Sequence, residues 1–313
     1  MSDSKPVVLI LHVLSPEHRV QIAEHFDVLY APDAQQGAQA IAQHGDRVEL
    51  VLTIGAIGLT AEQMDAMPKL RMVGVLGAGF ENVDVAYAKA RGIAVSNGAG
   101  TNDNCVADHA FGLVIAAVRG LVQLDKLTRQ GGWRNDIPLP PNVSGKRLGI
   151  LGLGTIGQKI ARRAEAFDMP VGYHNRKPKA DVDYRYFDSL QGLAQWADVL
   201  VVATPGGVGT QHLVNASVLQ ALGPGGYVVN IARGSVVDTE ALAQALRSGA
   251  LAGAGLDVFE TEPKVPAALL ELNNVVLTPH VAGWSPEAVQ ATVDLFLDNA
   301  LRHFSGQPLR TPI

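Results

Sequence analysis

The sequence predicts an α/β protein of two doubly wound parallel-sheet domains, one nested within the other. Three observations carry that prediction. Short β-branched runs alternate with helical segments, the pattern of strands buried in a parallel sheet with right-handed crossovers. The 313 residues suffice for two medium domains. The 33 glycines, beside a hydrophobic content of 47%, suit a fold with many tight strand–helix turns.

The first unit reads in chain order. Pro6–His12, Asp27–Ala31, Val48–Ile54, Leu70–Gly77 and Ile93–Asn97 are rich in β-branched and apolar residues and predict strands. Pro16–Phe26, Asp33–His44, Thr60–Met67 and Val83–Arg91 predict the intervening helices. Thr60 with Gln63 three residues on is a capping box, which marks a helix start. Asn102–Gln130 follows as a long helical stretch. Its apolar residues, among them Val106, Phe111, Val114, Val118, Leu121 and Leu124, cover more than one face. Such a helix is buried on several sides, either as an interdomain core or against a second subunit.

Gly131–Ser144, with Pro138, Pro140 and Pro141, predicts a loop. The second unit begins after it. Arg147–Leu151, Pro170–His174, Val199–Thr204, Tyr227–Ala232, Ala254–Val258 and Val275–Thr278 predict six strands, as in a doubly wound nucleotide fold. A last helix starts near Pro286 with Ser285 as its N-cap, and its return to the first unit would nest the second inside it.

The bulk composition excludes several classes of function. A net charge of -5 is unlike the cationic surface of a nucleic-acid binder. The single cysteine, Cys105, cannot form an internal disulfide and reads as a buried structural thiol in a reducing compartment. The start, Met1-Ser-Asp-Ser-Lys5, lacks the charged-then-apolar pattern of a signal peptide. No apolar run approaches the roughly 20 residues of a membrane helix. A cytoplasmic protein is expected, with neither nucleic acid nor membrane as partner. No cysteine–histidine cluster has metal-ligand spacing, so no metal is expected.

Gly152-Leu-Gly154-Thr155-Ile156-Gly157 follows the apolar strand Arg147–Leu151 and opens the helical segment Ile156–Phe167. The bare glycine pattern is common, and the strand before and helix after make it informative. The first glycine permits the turn, the second lets backbone approach a pyrophosphate, and the third lets helix pack on strand. The amides and dipole at the helix start would face the anion. The second strand ends in Tyr173-His-Asn175-Arg176-Lys177-Pro178, with no acid until Asp181. An acid there accepts from the ribose hydroxyls of NAD. Arg176 and Lys177 would instead attract a 2′-phosphate, which favours NADPH over NADH. The plain alternative is a solvated turn.

Three further segments carry the chemistry: Asn230-Ile231-Ala232-Arg233-Gly234, Asp257-Val-Phe-Glu-Thr-Glu262-Pro263 and Leu277-Thr-Pro-His280. With Gly74-Val-Leu-Gly-Ala-Gly79, Asn82-Val-Asp84 and Val106-Ala-Asp-His109, their order resembles the D-isomer-specific 2-hydroxyacid dehydrogenases, especially the glyoxylate/hydroxypyruvate reductase branch. The resemblance runs from about residue 70 to the end of the chain; the first 70 residues match only in general pattern. It implies a Rossmann cofactor domain, residues 99–284, nested within a flavodoxin-like substrate domain, residues 1–98 and 285–313. It implies an active site in the cleft between them, whose closure would exclude water.

The chemistry of 2-keto acid reduction needs each part. Arg233 can grip the substrate carboxylate as a forked donor and stabilise charge on the carbonyl oxygen. Hydride transfer makes an alkoxide, and His280 is the natural proton donor. Glu262 beside it would favour the imidazolium. The resemblance assigns the same roles to these positions. It also implies that backbone amides at Leu76, Gly77 and Ala78 cradle the substrate carboxylate. Asp257 would hold the nicotinamide amide, and Thr204, Pro205, Ile231 and Ala232 would line the cofactor groove with Thr155, Ile156 and Asn175. The other histidines, including His109 and His174, read as structural or solvated. Trp284 could shorten the pocket for small acids, stack on an aromatic substrate or pack against the core. Trp133 could reach a neighbouring active site in a homodimer.

The expected function is therefore NADPH-dependent reduction of a small 2-keto acid, with glyoxylate and hydroxypyruvate first and phenylpyruvate-type acids next. An NAD-linked dehydrogenase of another substrate, such as phosphoglycerate, is a second reading. A dinucleotide-sensing scaffold like the transcriptional corepressors is a third.

Overall fold

The computed structural model describes residues 5–313. The chain divides into two compact units, one ending at Asn102 and resuming at Trp284–Ile313, the other Asp103–Gly283.

The first unit alternates β1 (Val7–Ile10), α1 (Pro16–Ala23), β2 (Asp27–Tyr30), α2 (Ala34–His44), β3 (Val48–Ile54), α3 (Ala61–Asp65), β4 (Met72–Leu76), α4 (Val85–Ala90) and β5 (Ala94–Asn97). Side chains of Ser15, Asp33, Thr60 and Asp84 cap the four helices, and the expected Thr60–Gln63 capping box is present. The strands are all parallel, in the order β2-β1-β3-β4-β5, the flavodoxin-like arrangement. Burial on both faces explains the uninterrupted apolar runs: in β1, Val7 and Leu9 join one core cluster while Val8 and Ile10 join the other. The C-terminal helix, Pro286–Phe304, returns to this unit and packs on β4. Gly74 makes room for it, since a Cβ there would lie 2.5 Å from the Phe296 ring.

The second unit opens with α5 (Asp103–Arg119) and α6 (Leu121–Arg129). There follow β6 (Leu148–Leu151), α7 (Thr155–Glu165), β7 (Val171–His174), β8 (Arg185–Tyr186), α8 (Leu190–Trp196) and β9 (Val199–Val202). α9 (Ala216–Leu222), β10 (Tyr227–Asn230), α10 (Thr239–Ser248), β11 (Gly253–Leu256), α11 (Ala267–Leu270) and β12 (Val275–Leu277) complete it. Its parallel sheet runs β12-β11-β10-β9-β6-β7-β8, a Rossmann order with the switch point between β6 and β9. α5 lies over β10, β11 and β12 on one face, and Gly255 allows it close, a Cβ there standing 3.0 Å from Leu113 Cβ.

The structure departs from the sequence reading in three places, at the helix break, the seventh strand and Cys105. The stretch Asn102–Gln130 is two helices, not one. Gly120 takes a left-handed φ of 63°, and the axes on either side differ by 60°. The apolar residues past the break, Leu121 and Val122, are exposed rather than buried. The sheet has a seventh strand, β8, whose two residues are too few for a periodic signal. The first unit continues to Asn102; within it Gly98 N–H donates to Gly77 O (2.7 Å) and Thr101 meets the Thr292 hydroxyl (2.7 Å). Cys105 is half-buried rather than buried. Among the described residues no single helix is long and apolar enough to cross a membrane.

Candidate active site

The C-terminal ends of the parallel strands in the second unit gather the predicted groups, where open α/β sheets place their ligands. Gly152 follows β6, Asn175 follows β7, Thr204 lies beyond β9, Arg233 beyond β10, Asp257 follows β11 and His280 lies beyond β12. β10, β11 and β12 are neighbours, so Arg233, Asp257 and His280 leave adjacent strands.

His280 and Glu262 are in direct contact, Nδ1 to Oε2 at 2.7 Å, both half-exposed. Glu262 is itself oriented by the Phe259 N–H, which donates to its other oxygen at 2.9 Å. A carboxylate only accepts, so the proton between them sits on Nδ1, with Nε2 on the far side of the ring. His280 holds a left-handed φ of 54°, uncommon for a residue with a Cβ. Its N–H donates to Asp257 O at 2.8 Å.

Asp257 is fully buried. Its carboxylate accepts from the Thr278 hydroxyl (2.6 Å) and from the N–H groups of Val281 (3.0 Å) and Ala282 (2.9 Å). His109 Nε2 touches Thr278 Oγ1 at 2.9 Å and lies 3.4 Å from Asp257 Oδ1. Asp257 and His109 both brace the turn that carries His280, and three of the carboxylate's roughly four acceptor positions serve that turn.

Arg233 is half-buried in the turn after β10. Asn230, buried at the strand end, accepts from Ala232 N–H (3.0 Å) and donates to Arg233 O (3.0 Å), which sets the turn. Gly206 lies against the arginine stem, where a Cβ would stand 2.7 Å from Arg233 Cγ. A Cβ on Gly234 would collide with the Phe259–Glu260 backbone, so the arginine turn and the glutamate loop are in contact. Ile231 and Ala232 are buried in the core clusters. Thr204 is half-buried and Pro205 exposed.

The glycine-rich turn fits a dinucleotide. Gly152 has φ 99° and lies against Thr204, its Cβ position 2.7 Å from the Thr204 nitrogen. A Cβ on Gly157 would meet Gly152 O at 2.3 Å, so helix and turn pack as the motif requires. Gly154 has open space where its Cβ would be, room for a phosphate at the start of α7. That helix has no side-chain cap and no acid in its first turn, so Thr155 and Ile156 begin it with unopposed positive dipole. Asn175 Oδ1 accepts from Leu153 N–H at 2.7 Å, tying the turn to the segment after β7. Tyr186 OH donates to Asn175 O (3.3 Å) and Tyr173 OH accepts from Lys179 N–H (2.9 Å), so Arg176 and Lys177 stand exposed on a pinned loop.

In the first unit, Leu76 ends β4 and Gly77 turns with φ 86°. The carbonyls of Gly77 and Ala78 accept from Gly98 N–H (2.7 Å) and Asn97 Nδ2 (2.8 Å), which fixes this loop. Trp284 is 73% exposed, which removes core packing from its three readings. Trp133 is also exposed, at 67%. No group of three or more His, Cys, Asp or Glu among the described residues is arranged to hold a metal ion.

Sequence reasoning missed His212 and Glu260, whose side chains meet at 2.6 Å among the same loops. Glu260 stands in the quoted segment two residues from Glu262, and only the fold tells which glutamate meets which histidine.

A family model for the D-isomer specific 2-hydroxyacid dehydrogenase NAD-binding domain matches residues 111–282. The chain is 43% identical over 274 residues to a hydroxyphenylpyruvate reductase of Plectranthus scutellarioides, covering 87% of this chain and 88% of that one. It is 38% identical over 307 residues to glyoxylate/hydroxypyruvate reductase A of Arabidopsis thaliana, covering 98% of each. Its fold is similar to the crystal structure of an NADPH-dependent glyoxylate/hydroxypyruvate reductase from Sinorhizobium meliloti in complex with NADP and malonate. That similarity has a TM-score of 0.91 and 40% identity over 99% of this chain and 97% of that one.

Proposed function

The chain belongs to the D-isomer specific 2-hydroxyacid dehydrogenases, an oxidoreductase family acting on CH–OH donors with a nicotinamide dinucleotide, and on that premise we propose that it uses NADPH to reduce glyoxylate or hydroxypyruvate. The observation that carries the reading is the His280–Glu262 contact one strand from the Asp257 strand and two from the Arg233 turn. The cofactor would be held by the Gly152–Gly157 turn, the start of α7 and the Arg176–Lys177 loop, and when bound supplies the hydride.

The remaining steps fall to side chains. Arg233 binds the substrate carboxylate as a forked cation and draws electron density onto the carbonyl oxygen. His280 delivers a proton from Nε2 to the oxygen as hydride reaches carbon. Glu262 keeps the opposite nitrogen protonated throughout, so the imidazole passes from cation to neutral without turning over. Asp257 keeps the turn in place.

The preference for NADPH is supported by the exposed Arg176 and Lys177 and the lack of an acid before Asp181. A cytoplasmic homodimer is part of the proposal. A second reading, reduction of an arylpyruvate, is favoured by the exposed Trp284 indole and by the similarity to a hydroxyphenylpyruvate reductase. Steady-state assays following nicotinamide absorbance, with both cofactors and a panel of glyoxylate, hydroxypyruvate, phenylpyruvate and hydroxyphenylpyruvate, decide between them. A higher kcat/KM for the aryl acids would replace the first substrate assignment with the second. Turnover of none would remove both.

A further inference from the structure

A second histidine–glutamate pair stands among the active-site loops. His212 Nε2 lies 2.6 Å from Glu260 Oε1, and the other Glu260 oxygen accepts from Thr239 N–H at 3.3 Å. Neither residue has a place in the chemistry described above.

The backbone around His212 is tied to the arginine turn. His212 N–H donates to Ser235 O (2.8 Å), Val214 N–H to Val236 O (3.0 Å) and Asp238 N–H to Val214 O (3.0 Å). Val214 and Val237 thus form a short parallel bridge between the loop after β9 and the segment after β10. Gly206, on the same loop, touches the Arg233 stem. His212 has φ 49°, a left-handed conformation disfavoured for a residue with a Cβ and kept here by its surroundings. Glu260 belongs to the third loop, two residues before Glu262, where Gly234 meets the Phe259–Glu260 backbone.

We propose that His212 is a positioning residue. Its ion pair with Glu260 clasps the Arg233 turn to the loop that carries Glu262, so the substrate anchor and the support of the proton donor hold a constant separation. The effect on turnover rests on the reductase reading; the clasp itself does not. Two acids face the imidazole, Glu260 by hydrogen bond and Asp238, the N-cap of α10, through space. Glu260 chiefly, with Asp238 adding, raises the His212 pKa above its ordinary value against a smaller opposing effect of burial. The charged clasp is therefore complete between the lowered Glu260 value and the ordinary imidazole value, and it weakens as pH rises through the raised His212 value.

Two variants test this. His212→Asn tolerates the left-handed backbone but is too short to reach Glu260. Glu260→Gln keeps the shape and the acceptor for Thr239 N–H but not the charge. Amide hydrogen exchange of segments 231–238 and 257–262 in the cofactor-free protein, and kcat/KM against pH, are measured for each. Faster exchange in both segments is expected, with kcat/KM for the keto acid down about tenfold in His212→Asn and cofactor affinity unchanged. The double variant should be no worse than His212→Asn alone, since both break one interaction. Glu260→Gln should be weakened most just below the ordinary imidazole value and approach wild type as pH rises above the raised His212 value. Unchanged exchange in both segments, or losses that add in the double variant, would overturn the proposal. A wild-type protein that reduces no keto acid would sink the reductase reading alone, and the exchange data would still decide the clasp.

Discussion

His280 Nδ1 rests 2.7 Å from Glu262 Oε2 on a backbone turned to φ 54°. The left-handed turn carries a conformational cost of order 1 kcal/mol for a residue with a Cβ. The structure sustains it through the buried Asp257, which binds the following two amides and the Thr278 hydroxyl. Strain upheld in this way fits the proton-donor role proposed for His280.

Replacing His280 removes the proton donor while leaving the cofactor turn intact. His280→Asn, which accepts the same backbone, should lower kcat by roughly 10²–10⁴ with little change in cofactor Kd. Single-turnover and steady-state rates check it. A kcat within tenfold of wild type would exclude His280 as the acid.

Arg233→Lys keeps the charge but not the planar fork. Hydrogen bonds to charged groups contribute about 1.5–3 kcal/mol each, so kcat/KM for the keto acid should fall ten- to hundredfold or more, with KM raised. Cofactor KM should hardly move. An unaltered keto-acid KM would show that the carboxylate is bound elsewhere.

Arg176 and Lys177 are exposed, and their predicted contribution is to one phosphate. The pair Arg176→Ala, Lys177→Ala should raise the KM for NADPH about tenfold or more and leave that for NADH nearly constant. Equal effects on the two cofactors would return this loop to ordinary solvated surface.

Gly120 separates α5 from α6 at φ 63°. Gly120→Ala should destabilise the protein by about 1 kcal/mol, read as a lower urea midpoint at unchanged m-value. A gain in stability would mean that the two helices can fuse into the single helix their composition suggests.

Asp198 is held below the ordinary carboxylate value mainly by its hydrogen bonds to Arg147, whose Nη2 and backbone N–H approach at 2.7 and 2.8 Å. A depressed folded-state pKa adds stability above the ordinary value of about 3.9, and that share is lost as pH falls through the folded value. Asp198→Asn should therefore lower stability at neutral pH and flatten its acid dependence. Denaturant titrations across the acid range check this; parallel curves for variant and wild type would refute it.

Much of the candidate site could be nominated in order along the chain. The Gly152–Gly157 turn could be read because its glycines answer local demands, and the turn at Gly152 with φ 99° meets one of them. Thr60 and Gln63 could be read as a helix start for the same reason. β8 could not, because two residues pair only where β7 already provides an edge. The break at Gly120 was obscured by apolar residues on both sides, whose burial differs although their type does not. Trp284 was open to three readings, and only its exposure removed one.

The amino-acid order by itself determined the two parallel-sheet units and the glycine-rich turn, and it singled out Arg233, Glu262 and His280 as candidates. Hydrophobic period, turn chemistry and cap chemistry act over a few residues, so a linear text carries them. Tertiary structure alone decided that Glu262 meets His280 while Glu260 meets His212, and that Asp257 is buried beneath the turn that carries His280. Those partners are distant in sequence, and a carboxylate's role is set by which donors the packed sheet brings to it.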